Sequence, residues 1–526
     1  GGLNFSTIRF STEKVRAVSD KIDILIALNA ESVEVHKDRV KDGGVIFFDG
    51  EKDLKGKKMV RLKAGEIAGN INPRVVNTVF LSAVLKYLSL EKEQCEEIIR
   101  EYFTGDNVQN DNIRLLEEGY KSIDSVMNVE KGRRAQKQVF IDGNSALAMG
   151  ATAAGLSFYA AYPMSPATGI MNYLAGKQEE LGLVVEQAED EIAAVNMAIG
   201  ASYSGIRSMT GTSGGGFALM TEAVGLAGMA EIPLVIADVQ RPGPATGLPT
   251  RTEQGDLLFA INAAQGDFPL MVIAPRNHED AFRQAFRAFN MADKYRIPVI
   301  ILSDQYLADS ATNVDDFDFI SLKNDYHLIN DEEIKAFLNN ERTGYKPYLL
   351  TESGISPGAY PGQIPGEIVL ADSDEHDEYG HITEDAETRK AMVEKRARKL
   401  EKLINEDLEE PVYLGEGVQD YLLIGWGSTY GPLEEARNIL LAEGVKTALL
   451  SFSDVWPLSA GRLMQIYEQA KKPVIVVVEN NSTGQFSRLM ASETGIKADY
   501  NILKYDGRPF TGAGIADRFM KEVMGR

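Results

Sequence analysis

Arg207–Gly243 reads RSMTGTSGGGFALMTEAVGLAGMAEIPLVIADVQRPG. A short strand runs into a glycine-rich turn, a helix of small residues begins near Gly216, and a second, largely apolar strand follows. A strand with no polar face must be covered on both sides, which places it inside a parallel sheet rather than on a solvated one. A helix joining two such strands returns the chain to the same edge, so the strands run parallel. The same alternation extends from Val139 to Asn313, with strands in FYAAYP, LVVEQA, LMVIAP and IPVIILSD. Further helices are predicted from near Ser145, Pro166, Glu189, Glu253 and His278. The pattern predicts a doubly wound parallel sheet, in which ligands bind beyond the carboxyl ends of the strands.

On either side the pattern changes. Residues 314–411 hold a Pro/Gly-rich loop (SGISPGAYPGQIPGE), an acidic loop (ADSDEHDEYGHITED) and a charged helix (ETRKAMVEKRARKLEKLINE), which read as a connecting arm. Residues 412–526 return to strands and helices, from DYLLIGWGST to PVIVVVEN. Residues 1–129 open with the strands DILIALN and GGVIFFDG and continue into helical periodicity. No glycine-rich βα turn precedes the first strand, so this segment is expected to be an N-terminally truncated Rossmann-like domain. A basic linker, KGRRAQKQ, separates it from 138–313. The expected architecture is α/β and multi-domain, divided as 1–129, 138–313, 314–411 and 412–526.

Composition removes several function classes. A net charge of −22 over 526 residues argues against a nucleic-acid partner, which needs an excess of Lys and Arg. No apolar run reaches the ~20 residues of a membrane span. The opening GGLNFSTIRFSTEK has neither the basic nor the apolar region of a signal peptide, so a cytoplasmic protein is expected. Cys95 is the only cysteine, whereas an iron–sulfur cluster takes about four thiolates. His376 and His381 sit in SDEHDEYGH, read as a solvated loop rather than a metal site, and no metal ligands are expected.

Five clusters fall at predicted strand ends. In YPMSPAT (Tyr162–Thr168), Pro166 is placed to open a helix with Ser165 as its N-cap. That geometry suits a carboxylate ligand, but a plain capped turn fits as well. EQAEDEIAAVNMAIGAS (Glu186–Ser202) sets Glu189 and Glu191 where a strand gives way to a small-residue helix. The plainer reading is that they complement the helix dipole, worth ~0.3–1 kcal/mol each. TGTSGGGFALM (Thr210–Met220) offers backbone N–H groups to a phosphate or flat ring, though it is neither a Walker A loop nor GxGxxG. QRPGPATGLPTRTEQGDL (Gln240–Leu257) is a rigid loop in which Arg241 and Arg251 flank Thr246, Thr250 and Thr252, a set suited to gripping a carboxylate. VENNSTGQFSRLM (Val478–Met490) presents Asn480, Asn481 and Gln485 to a ligand or to another domain or subunit.

In this order, YPMSPAT, AEDEIAA…GAS, TGTSGGG, RPGPATGLPTRTEQGDL, SDEHDE, ENNSTGQ and YDGRPF resemble the α chains of 2-oxoacid:ferredoxin oxidoreductases. The resemblance spans nearly the whole chain and is strongest to the fused γ–α type of the 2-oxoglutarate enzymes. It implies a partial γ-type domain over 1–129, a thiamine-diphosphate pyrimidine-binding domain over 138–313 and a transketolase C-terminal-like domain over 412–526. It also implies a β subunit that carries the diphosphate–Mg²⁺ site and a [4Fe–4S] cluster. The absence here of GDG with a downstream Asn pair, and the presence of a single cysteine, agree with that division. The implied reaction converts a 2-oxoacid and CoA to acyl-CoA and CO₂, passing electrons to ferredoxin in an αβ or (αβ)₂ assembly, or runs in reverse to fix CO₂. Carried over to this sequence, Glu189 would bind the pyrimidine N1′, with Glu191 in reserve. Ser165, Arg241 and Thr250 would bind substrate, and Tyr162, Pro163, Thr212 and Gly214 would border the cofactor. Ser165 stands where the family commonly has Thr, and Ala245 where it has Ser. Pyruvate or another 2-oxoacid as substrate is an open alternative, as is a non-catalytic scaffolding subunit.

Overall fold

The structure, a computed structural model, describes residues 4–51, 57–129, 137–339 and 344–526. Most of the linker KGRRAQKQ lies outside the described residues. The chain divides into two compact units, Gly1–Ala135 and Gln136–Arg526.

The first unit runs β1 (Ile22–Ala27), α1 (Ala30–His36), β2 (Val40–Phe48), β3 (Lys58–Arg61), α2 (Ala64–Gly69), α3 (Val76–Tyr87), α4 (Glu93–Tyr102) and α5 (Asp106–Lys121). β1, β2 and β3 form a parallel three-stranded sheet in that order. Alternate residues of β2 enter different cores. Val45 and Phe47 pack with Val79, Phe80 and Leu115, whereas Ile46 and Phe48 pack with Leu25 and Val33. This is the expected α/β layer, covered on both faces. Asn29 caps α1 by accepting from Ser32 N at 2.8 Å.

The second unit begins with β4 (Gln138–Asp142), α6 (Gly143–Ala153), β5 (Phe158–Ala161), α7 (Thr168–Leu181), β6 (Val184–Gln187), α8 (Glu191–Tyr203), β7 (Ser208–Thr212), α9 (Gly214–Met229) and β8 (Leu234–Gln240). It continues through α10 (Leu257–Ile261), β9 (Met271–Ile273), α11 (His278–Tyr295), β10 (Pro298–Asp304), α12 (Gln305–Asp309), β11 (Ala311–Asp315) and α13 (Asp331–Asn339). α14 (Ala386–Glu406) leads into β12 (Val412–Leu414), β13 (Tyr421–Trp426), α15 (Tyr430–Ala442), β14 (Thr447–Phe452), β15 (Asp454–Trp456) and α16 (Gly461–Tyr467). The chain closes with β16 (Val474–Glu479), α17 (Gln485–Thr494), β17 (Tyr500–Leu503) and α18 (Gly512–Glu522).

The principal sheet has the order β15-β9-β10-β8-β7-β5-β6 and is parallel except for β15 at its edge. From β5 the chain steps outward to β6 and then crosses back to β7 on the other side, so the winding reverses between β5 and β7. The loops leaving those two strands diverge and open a crevice. Leu234 and Ile236 of β8 face one core while Val235, Ala237 and Val239 face another, as a doubly wound sheet requires. β4 and β11 pair antiparallel, which joins the two ends of the region read as 138–313.

The C-terminal segment has its own five-stranded sheet, β12-β14-β13-β16-β17. Leu422, Ile424 and Val477 of that sheet share a core with Ile236 and Ile300 of the principal sheet, and β15 is the antiparallel edge strand of the principal sheet. The segments read as 138–313, 314–411 and 412–526 therefore form one unit.

Two local expectations are corrected. Ser165 does not cap a helix: α7 begins at Thr168 after Ala167, and Thr168 N donates to Met164 O at 3.2 Å. The turn is pinned instead by Asn144, whose Nδ2 donates to the Pro166 carbonyl at 2.9 Å. Nor is SDEHDEYGH solvated throughout. His376 is fully buried with its ring 3.9 Å from that of Tyr348, and Glu375 accepts from both Arg389 and Arg396. The acidic run is thus drawn inward by the cations of α14. His381 remains exposed and pairs with Asp377 at 3.5 Å.

Candidate cofactor and substrate site

The crevice between β5 and β7 collects most of the residues singled out above. Met164, from the loop after β5, and Thr212, the last residue of β7, meet across it at 3.8 Å between Sδ and Oγ1. The next turn begins α9 at Gly214, with Ser213 as its cap residue. A methyl group at Gly216 would strike Thr212 Oγ1 and come within 2.6 Å of Glu191 Oε1. A missing Cβ therefore leaves room for the Glu191 carboxylate beside the α9 turn.

The two candidate acids differ in placement. Asp190 caps α8, its Oδ1 accepting from Ala193 N at 2.7 Å, so the helix proper begins at Glu191. Glu191 is 4% exposed, and its Oε1 is buried without a hydrogen-bond partner. Glu189 lies before the cap and is exposed. A buried carboxylate oxygen without a donor costs free energy unless something else supplies one. Glu191 has that vacancy; Glu189 does not.

Arg241 leaves the end of β8, and its Nη1 donates to the Ser165 carbonyl at 2.5 Å. The structure thus brings two of the three predicted substrate residues together. This bond fixes the guanidinium while Nε and Nη2 have no hydrogen bond among the described residues. Thr250 is exposed on the same loop, with no bond to either residue. Tyr162 and Ser165 are exposed at the mouth, Pro163 is half-buried, and Thr212 is fully buried. The loop is held in shape by Leu248 N on Pro242 O at 3.0 Å and Arg251 N on Leu248 O at 3.1 Å. Gly247 has φ +53, and a Cβ there would collide with the Pro242 carbonyl.

Beneath this loop lies a group of acids that the motif reading missed. Asp238 is fully buried with neither carboxylate oxygen bonded, and Asp256 Oδ2 is also unpartnered. Burial, with Asp256 nearby, pushes the Asp238 carboxyl well above its usual range. Burial pushes Asp256 up to about 6 and Glu253 to about 7. A Cβ on Gly214 would lie 2.6 Å from Asp256 Oδ1, so this acid backs the turn that opens α9. In sequence, ADVQ reads as an ordinary buried strand. The available signal was one acid inside an apolar run, on the same face as Thr212, its register partner in β7.

The ENNSTGQ motif makes an internal contact. Asn481 Nδ2 donates to Gln254 O at 3.1 Å, and Gln485 Nε2 donates to Gly255 O at 2.6 Å. Glu479, fully buried, accepts from Phe486 N at 2.7 Å and Ser487 N at 2.9 Å. Of the two openings left in sequence, the contact between segments is the one formed. Among the described residues no group of three or more His, Cys, Asp or Glu is placed to hold a metal, and no helix is long and apolar enough to cross a membrane.

Comparison with known proteins bears on the family and the fold. Residues 149–395 match the family model "Pyruvate flavodoxin/ferredoxin oxidoreductase, thiamine diP-bdg", and residues 1–122 match "Pyruvate ferredoxin/flavodoxin oxidoreductase". The 2-oxoacid:ferredoxin oxidoreductase subunit alpha of Sulfolobus sp is 33% identical over 99% of this chain and 90% of its own length. The 2-oxoglutarate oxidoreductase subunit KorA of Mycobacterium tuberculosis is 28% identical over 99% of this chain and 84% of its own. The 2-oxoglutarate:ferredoxin oxidoreductase from Magnetococcus marinus, solved with 2-oxoglutarate, coenzyme A and succinyl-CoA bound, superposes with a TM-score of 0.89. That alignment has 32% identity and covers 97% of this chain and 90% of the solved one. From its motifs, its fold and these full-length relatives, the chain belongs to the α subunits of the 2-oxoacid:ferredoxin oxidoreductase family, with a thiamine-diphosphate-binding domain.

Proposed function

We propose that this chain supplies the pyrimidine and substrate side of an enzyme that oxidatively decarboxylates 2-oxoglutarate with CoA. The observation that carries this reading is the buried Glu191 carboxylate, with one oxygen unbonded beside Gly216 at the point where the sheet reverses its winding. An aminopyrimidine ring nitrogen fits that vacancy, because it can share a single proton with the carboxyl oxygen, on a flat ring that can lie against backbone. Glu191, rather than the exposed Glu189, is therefore assigned to the pyrimidine. A hydrogen bond to a charged group of this kind contributes ~1.5–3 kcal/mol. When bound, thiamine diphosphate supplies the carbon nucleophile and the electron sink for the bond lost as CO₂.

The rest is done by the chain's own side chains. Arg241, steadied by the Ser165 carbonyl, offers Nε and Nη2 to a carboxylate of the 2-oxoacid. The Ser165 hydroxyl lies exposed beside it, and Thr250 lines the mouth of the same loop. Thr212 and Gly214 border the ring, and Tyr162 and Pro163 form its outer edge. Among 2-oxoacids, 2-oxoglutarate is favoured by relatives whose names specify it.

The β subunit would hold the diphosphate, Mg²⁺ and a [4Fe–4S] cluster. Two electrons would leave singly for ferredoxin, in an αβ or (αβ)₂ assembly. The test is co-expression with candidate β chains, followed by ferredoxin reduction across a panel of 2-oxoacids with CoA. The expected result is 2-oxoglutarate activity that is lost in Arg241→Ala mainly through KM. Equal turnover of pyruvate and 2-oxoglutarate would remove the substrate assignment. Ferredoxin reduction by this chain without a β subunit would remove the division of labour.

A further inference from the structure

The principal sheet has a second concave feature at the end opposite the candidate site. β7, β8 and β10 begin there, and the residues just ahead of them, Arg207, Pro233 and Arg296, line a cleft open to solvent. Its other wall comes from the arm, including Tyr348, Leu370 and Ala371. Small-molecule sites commonly have apolar walls and few polar groups.

The polar groups here are unequally committed. The Tyr203 hydroxyl donates to Val369 O at 2.6 Å and the Tyr348 hydroxyl to Leu370 O at 3.2 Å. Arg207 spends its donors on Asp293 at 2.7 Å, Ala154 O at 2.6 Å and Asn290 at 2.9 Å. Arg296 is different: Nε donates to Glu231 O at 3.0 Å and Nη1 to Pro347 O at 2.9 Å, while Nη2 has no bond among the described residues.

The surrounding charge does not balance. The Glu231 carboxylate, fully buried, is shared by Lys395 Nζ at 2.5 Å and by Lys399 Nζ. With Arg296, three cations face one carboxylate. Burial, reinforced by the neighbouring cations, pulls the Lys399 ammonium down to about 7. Glu231 and Arg296 both hold left-handed backbone, with φ 52 and 50. Such residues cost about 1–3 kcal/mol each and persist only where their surroundings fix them.

We propose that this cleft binds a small organic anion with an apolar or aromatic body, its anionic group on Arg296 and its body against Tyr203, Ile232 and Tyr348. The anion supplies the negative charge that the Glu231 cluster lacks, in surroundings where the attraction is weakly screened. Because the walls come from both the sheet base and the arm, an occupant also fastens the arm in place. This inference does not depend on the thiamine reading.

The test is calorimetric titration of the full chain with three probes: benzoate, its uncharged counterpart benzamide, and inorganic phosphate. Benzoate is expected to bind saturably and at least roughly tenfold more tightly than the other two, a difference of ~1.4 kcal/mol. It should raise the melting temperature and should not be displaced by 2-oxoglutarate. Arg296→Met, which removes the charge, and Ala371→Trp, which fills the cleft, should each weaken benzoate binding at least about tenfold. If Arg296→Met does not fold, Ala371→Trp decides alone. Equal affinity for benzoate and benzamide, absence of saturable benzoate binding, displacement by 2-oxoglutarate, or unchanged affinity in Ala371→Trp would each overturn the proposal.

Discussion

Gln254 and Asn480 hold each other by two hydrogen bonds: Gln254 N donates to Asn480 O at 2.7 Å, and Asn480 N donates to Gln254 Oε1 at 3.1 Å. The Pro/Gly-rich loop that carries Arg241 is thus tied to the end of β16. Gln254 Nε2 extends the tie to Trp426 O, at 3.0 Å. Two motifs far apart in the sequence therefore form a single structural clasp.

Gln254→Ala should destabilise the second unit strongly. It leaves the buried Asn480 N–H without a partner, at about 1–3 kcal/mol, and takes from Trp426 O one of its two donors, the other being Thr429 Oγ1 at 2.7 Å. Urea denaturation should show a loss of roughly 1–4 kcal/mol. A change below about 0.5 kcal/mol would mean that water or a shifted side chain replaces both bonds.

The two acids at the start of α8 should separate cleanly. On the proposed reading, Glu191→Gln in the assembled enzyme lowers kcat by about 10²–10⁴, the range of general acid–base contributions, while Glu189→Gln stays near wild type. Circular dichroism checks that both variants fold. The reverse order of effects would return the assignment to Glu189.

Gly216→Ala probes the same slot without touching a charge. Its methyl would press on Thr212 Oγ1 and on the Glu191 carboxylate, so one of them must move. The expected outcome is weaker thiamine diphosphate binding, read by calorimetry with the β subunit present, and a melting temperature within a few degrees of wild type. Unchanged cofactor affinity would show that Glu191 does not need the slot.

The acids beneath the Arg241 loop predict a pH dependence. Asp256 at about 6 and Glu253 at about 7 titrate above their usual values of 3.8 and 4.5, so folding favours their protonated forms. Their stabilising effect is complete below the unfolded pKa and is lost as pH rises through the folded values. Asp256→Asn, which keeps the shape without the charge, should therefore gain stability relative to wild type between pH 4 and pH 7 and hold that gain above it. Melting curves across this range check the slope. A constant difference between the two proteins would contradict it.

The buried ion cluster should respond asymmetrically. Glu231→Gln leaves Lys395 and Lys399 facing each other and Arg296 without their carboxylate, and should cost about 3–5 kcal/mol. Lys399→Met removes one of the surplus cations and should cost far less, or stabilise. Thermal melts of the two variants at pH 7 decide the order.

Much of this was written locally. The strands of 138–313 were legible because Leu234–Gln240 and Pro298–Asp304 are mostly apolar runs, and the turn at Gly214 was legible because three successive glycines follow a strand. What misled was chemistry judged one residue at a time. Ser165 before Pro166 looks like a cap until Asn144 is seen holding the Pro166 carbonyl. Lys395 and Lys399 look like the solvated face of a charged helix, yet they lie on one stripe with Met392 and Leu403, and that stripe is buried.

The sequence by itself determined the α/β layering, the order of the motifs and the family, because periodicity and glycine placement act over a few residues. The tertiary structure alone decided which of two acids, two residues apart, is buried with an unmet oxygen. It also decided that Glu231 and Arg296, in two separate turns, share one charge cluster. Burial and electrostatic balance depend on what the rest of the chain packs against a group, and that is not encoded within any one motif.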